Sequence, residues 1–158
     1  MVTDSPNLDW LRDFENTEDR LASAAEFDRQ QSLAADLLLK SKAPDFVESL
    51  FRELALLAGA IDQKRRIVLF STSGGPRFEQ QARVSMRRVG AIPKLTYTDV
   101  FHTLGTNLIR CNTVEGEAFR FTLHVGEDVF ALPDRSIESM DHRAVAQFIM
   151  QRMMRLTA

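Results

Sequence analysis

Three histidines and one cysteine are the side chains of this chain best suited to chemistry, and their placement argues against most of it. His102, His124 and His142 are scattered. Metal sites draw ligands at short repeats such as CxxC or HxxxH. No such spacing occurs, so no metal and no cofactor is expected. Cys111 and His124 would form a nucleophile and its base if they met. On the strand register described below they point to opposite faces of a sheet. Cys111 is therefore read as a small buried hydrophobe, and no catalytic residue is assigned. A lone cysteine cannot form an internal disulfide, which fits a reducing compartment.

Anion binding is the chemistry that the remaining residues allow. The loop Ser71-Thr72-Ser73-Gly74-Gly75-Pro76 follows an apolar run, where phosphate-binding loops sit. Gly74 and Gly75 would let an anion approach the backbone. The loop lacks the Gly-Lys-Ser/Thr signature and the GxGxxG pattern, and Pro76 has no N–H to offer, so a plain turn is the simpler reading. Arg77, Arg83, Arg87 and Arg88, with Lys64, Arg65, Arg66 and Lys94, make the densest basic set. Residues 63–110 hold 9 basic and 2 acidic side chains, whereas residues 1–62 hold 13 acidic and 6 basic ones. The net charge of −2 hides this segregation. A phosphate-bearing ligand or a nucleic acid would use such a basic set. Against nucleic acid, the chain is acidic overall and no stacking aromatics lie among the basic residues. Neutralisation by the acidic segment, in the same chain or a neighbouring copy, is the favoured reading.

These residues need elements to position them. Residues 1–42 read as helical and polar. Asn7 or Asp9 caps a short helix with Trp10, Leu11 and Phe14, and Thr17-Glu18-Asp19 starts a longer one. That longer helix has a thin apolar stripe and needs a cover, from the same chain or a second copy. Lys40 to Pro44 reads as a break, with Pro44 in the first turn of a new helix. Phe46, Val47, Leu50, Phe51, Leu54, Leu57 and Ile61 then repeat at spacings of three and four, the clearest amphipathic pattern in the chain.

Arg66 to Ser71 reads as a strand. Residues 77–89 fit two templates. Pro76 and Gly90 punctuate a helix, while Ala82, Val84 and Met86 alternate with arginines as in a strand. The punctuation favours the helix. Ile92 to Tyr97 reads as a strand, and Thr98-Asp99 as the cap of one or two helical turns ended by Gly105.

Residues 107–114, 117–125 and 128–132 read as a three-stranded meander. A loop at Glu115-Gly116-Glu117 pairs Cys111 with Phe121 and Ile109 with Leu123. A two-residue type II′ turn at Gly126-Glu127 pairs Leu123 with Phe130 and Phe121 with Leu132. One apolar face results. The opposite face carries Arg110, Asn112, Arg120, Thr122 and His124, the candidate surface for a partner or ligand. A closing helix from about Asp141, with Val145, Phe148, Ile149, Met153 and Leu156 on one side, seats on the apolar face.

The order predicts an α+β fold, with helices on one face of a mostly antiparallel sheet. Residues 1–42 form an N-terminal helical arm and 43–158 the core domain. The layout from Pro44 onward resembles that of small α+β chaperones of bacterial secretion systems and related adaptors. The resemblance is one of arrangement, without a motif, and implies protein binding. No run of 18 apolar residues exists, so no membrane span is expected. The start of the chain is acidic and polar, unlike a signal peptide. The expected protein is a cytoplasmic, non-enzymatic binding module with a protein partner and a homodimeric habit. The alternative is a domain or enzyme acting on an anionic, phosphate-bearing ligand.

Overall fold

The computed structural model describes residues 7–61, 63–72, 78–90, 94–114, 116 and 118–157. The chain divides into two compact units, Met1–Leu37 and Leu38–Ala158. Helix α1 (Asp9–Ala60) begins in the first unit. Asn7 starts it, its Oδ1 accepting the Asp9 N–H at 3.0 Å. No glycine occurs before Gly59, and Glu, Arg, Leu and Ala are frequent, all good helix formers.

The expected break at Lys40–Pro44 does not occur: α1 is continuous and Pro44 lies inside it. A proline removes its own N–H and crowds the carbonyl four residues back. Two side-chain bonds lie beside the proline, Ser41 Oγ donating to the Leu38 carbonyl at 2.9 Å and Gln80 Nε2 to the Pro44 carbonyl at 3.1 Å, but neither reaches the Lys40 carbonyl that Pro44 frees. Burial carries the helix through. Ala43, Phe46, Val47, Leu50, Phe51, Leu54 and Ala58 all enter the core, and such packing outweighs propensity.

The second unit holds a six-stranded antiparallel sheet in simple sequence order. Its strands are β1 (Arg66–Thr72), β2 (Glu79–Arg88), β3 (Leu95–Thr103), β4 (Leu108–Thr113), β5 (Ala118–Val125) and β6 (Val129–Pro133). Helix α2 (His142–Leu156) follows, with Asp141 Oδ1 capping it from the Ala144 N–H at 2.8 Å. The fold is α+β. The C-terminal part of α1 and α2 share one core with Val68, Ala82, Val84, Met86, Val100, Ile109, Cys111, Phe121, Leu123 and Ala131. These strand residues alternate with outward ones, as the period of two requires.

Two helix expectations are corrected. Residues 79–88 form a strand, paired with β1 on one side and β3 on the other. A helix there would bury Phe78 and Val89, yet both are exposed. The strand buries Ala82, Val84 and Met86 and turns Arg83 and Arg87 outward. Thr98-Asp99 caps no helix either: both lie within β3, a segment rich in β-branched and aromatic residues. Gly105, at φ 85°, ends that strand in the turn to β4. Of the layout behind the resemblance to secretion chaperones, the opening helix, the strands and the closing helix are present and the short middle helix is not.

The meander registers also shift. Cys111 pairs with Phe119, and Ile109 with Phe121, an offset of two that leaves every side chain on its expected face. Gly116 takes φ 79° and donates its N–H to the Thr113 carbonyl at 3.1 Å, tightening the turn. In the second hairpin Leu123 pairs with Ala131 and Phe121 with Pro133, a slip of one residue. A type II′ turn needs a positive φ at Gly126, and Gly126 does not take one. Three residues, 126–128, instead connect the Val125–Val129 pair, and the Gly126 N–H donates to the Asp128 carbonyl at 3.0 Å. The slip swaps the faces of β6. Small Ala131 is fully buried, and it exchanges two backbone hydrogen bonds with Met140, at 2.7 and 2.8 Å. Phe130 and Leu132 turn to the other face.

Candidate functional surface

The outer face of the sheet follows from the registers. Arg83 lies opposite Asp99 and Ser71, and Ser85 opposite Tyr97 and Leu69. Phe101 lies between Gln81 and Arg110. Arg110 faces Arg120, and Thr122 lies between Leu108 and Leu132. His124 ends the surface, stacked on Phe130 with ring centroids 5.6 Å apart. Arg110, Asn112, Arg120, Thr122 and His124 thus share one face, and Arg83 and Arg87 join them. Both helical segments of the second unit pack on the inner face, so the outer face is a surface and not a cavity.

Its charges are unevenly satisfied. The Arg83 guanidinium donates to both Asp99 oxygens, at 2.6 and 2.9 Å, and lies 4.2 Å from the Tyr97 ring centroid. This two-point bond to the Asp99 carboxylate pushes the Arg83 pKa above its usual value. A shallow depression surrounds the pair, lined also by Ser71, Gln81 and Phe101. Arg120 Nε donates to Asp134 Oδ2 at 3.1 Å. Arg110 and Arg87 have no acidic partner among the described residues. Like charges directly opposite on a sheet are unfavourable; Asp134 offsets Arg120 in the Arg110–Arg120 pair, which leaves Arg110 as the member able to take a further carboxylate or phosphate.

A second basic group stands at the end of β1 and β2, where Lys64, Arg65, Arg66 and Arg88 line a cleft with Val89. Backbone bonds bring these segments together, Val89 N–H to the Arg65 carbonyl at 2.9 Å and Arg88 N–H to the Lys94 carbonyl at 2.8 Å. Arg66 Nε donates to Thr157 Oγ1 at 3.1 Å. Gly74, Gly75 and Arg77 lie outside the described residues.

Cys111 is fully buried on the inner face, and burial pushes its thiol well above the ordinary range. His124 is exposed on the opposite face, so the two do not meet. The native protein is expected to resist alkylation at Cys111 and to react readily in denaturant. Mass spectrometry after a timed iodoacetamide pulse checks this, and rapid native labelling would contradict the buried placement. Among the described residues, no group of three His, Cys, Asp or Glu side chains is placed to hold a metal ion.

Sequence reasoning missed Asp99 and Phe101 on this surface because it placed a helix from residue 98, which also ended at Tyr97 the strand that runs through them. The density of Thr, Val, Tyr and Phe over 96–103 was the signal for a strand. It also missed the slip that brings Phe130 beside His124. His102, unlike exposed His124, is fully buried on the inner face. No described helix is long and apolar enough to cross a membrane. Comparison with protein-family models, curated proteins and solved structures finds no match to the chain.

Proposed function

We propose that this chain is a non-enzymatic, cytoplasmic protein-binding module, an adaptor, chaperone-like or regulatory subunit, that self-associates. Residues 1–42 act as an arm and 43–158 as the core. One observation carries the reading. Trp10, Phe14 and Leu21 are 65%, 57% and 66% exposed along α1. Their spacings of four and seven put them on one narrow helical stripe. Water-facing aromatic and leucine side chains in a row mark an interaction surface.

The full chain is expected to sediment as a dimer at micromolar concentration. The triple variant Trp10→Ser, Phe14→Ser and Leu21→Ser is expected to sediment as a monomer while keeping the core's urea midpoint. A wild-type monomer throughout the micromolar range would remove the reading.

The Arg110–Arg120 pair favours a second reading, an anionic and phosphate-bearing ligand on the outer face. Its support is that Arg110, opposite Arg120 in the sheet, has no acidic partner among the described residues. A thermal-shift panel of nucleotides and sugar phosphates decides it, since a ligand bound to the folded state raises the midpoint.

A further inference from the structure

We infer that the outer face of the sheet receives the acidic N-terminal helical unit of a second copy of this chain. The inference rests on the self-association proposed above and names its surface. Leu69 and Leu95 are 64% and 63% exposed there, and Tyr97, Phe101, Leu108 and Leu132 are half-buried beside them. An open antiparallel face is ordinarily polar. This one mixes apolar side chains with arginines, as a face that takes an amphipathic and acidic partner would.

The N-terminal unit has that chemistry. Residues 1–37 hold nine Asp and Glu against three Arg. Its apolar stripe of Trp10, Phe14 and Leu21 is flanked by Asp13 on one side and Glu18 on the other, both exposed. The outer face offers Arg83, Arg87, Arg110 and Arg120 against Glu79, Asp99 and Asp134, and two of these arginines, Arg87 and Arg110, have no acidic partner among the described residues. A carboxylate from the arm beside Arg110 supplies the acidic partner that Arg110 lacks. Size agrees as well. The helix of this unit is roughly 40 Å long at 1.5 Å per residue, and six strands span roughly 24 Å at 4.8 Å spacing. One helix therefore crosses the whole face.

A second copy is the occupant because the acidic unit and the basic face are both parts of this chain, so two copies satisfy each other's charges reciprocally. Reciprocal exchange of the two arms gives a closed two-fold dimer, the commonest symmetric assembly.

Charge reversal on full-length protein tests this. The face variant Arg87→Glu with Arg110→Glu and the arm variant Asp13→Lys with Glu18→Lys alter only exposed side chains. Circular dichroism confirms that each remains folded. Each alone is expected to raise the dimer Kd at least tenfold by sedimentation equilibrium at low salt. Mixing them is expected to restore wild-type affinity, because both interfaces of the heterodimer then join opposite charges. High salt is expected to weaken the wild-type dimer. A wild-type dimer that face reversal leaves unchanged would overturn this inference while self-association stands, as would sensitivity to arm reversal alone. A monomeric wild type would overturn both.

Discussion

Replacing Phe121 by Ala is expected to destabilise the fold by about 3–5 kcal/mol, the range for deleting a buried aromatic side chain. Phe121 is fully buried at the centre of β5. Its ring meets Phe148 of α2 at 5.5 Å and Phe119 at 5.8 Å between centroids, both edge to face. Phe119 and Phe148 also touch each other at 5.8 Å. The three rings join the meander to the closing helix, so deleting the central one leaves a cavity that neither neighbour can fill without moving. A domain of this size has about 5–15 kcal/mol in total, so the variant should unfold at markedly lower urea. Phe121→Leu keeps most of the volume and should lose much less. Equilibrium urea curves with an unchanged m-value measure both. A loss below about 1.5 kcal/mol for the alanine variant would mean that the aromatic cluster is not the joint between sheet and helix.

Stability is expected to fall as the pH drops below about 6.5, with His102 responsible. His102 is fully buried. Its Nε2 lies 3.0 Å from the Thr106 carbonyl and its Nδ1 2.7 Å from Gln80 Oε1. Burial pushes its pKa below the ordinary 6.5, with the Thr106 carbonyl acting in the opposite direction. The unfolded chain therefore takes up a proton at a pH where the folded one does not. His102 leaves stability at its full value above the unfolded pKa. Stability declines from there toward the folded pKa, with a slope of at most about 1.4 kcal/mol per pH unit. His102→Gln removes the titration, so the difference between the two pH profiles isolates this residue. If the two acceptors beside the ring outweighed burial, His102 would instead add stability as the pH fell, the opposite sign. His102→Ala should be the more damaging variant, because it leaves a cavity and unpaired polar groups at Gln80 and Thr106.

The sequence by itself determined the elements whose evidence is local. The stripe from Phe46 to Ile61 is helical because its apolar spacing fits no other element, and the structure buries Phe46, Val47, Leu50, Phe51 and Leu54. The alternation of Ile109 and Cys111 with Arg110 and Asn112 separated the two faces of β4, and that separation survives a register offset of two. For the same reason the candidate residues Arg110, Asn112, Arg120, Thr122 and His124 were already grouped on one face, whatever they bind.

Tertiary structure alone decided the rest. Ala82 and Met86 are four apart, which suits one face of a helix and one face of a strand equally. Backbone pairing with β1 and β3 on both sides settled it as a strand, and that exposed Arg83 and Arg87 beside Tyr97 and Asp99. Pro44 ended a helix by every local rule, yet the core contacts of Ala43, Phe46 and Val47 carry the helix through it. The last hairpin slipped by one residue because a fully buried position there suits Ala131, not Phe130. Local pattern sets what each segment can be. Where two choices are equal locally, the hydrogen bonds and side-chain volumes of distant segments select between them.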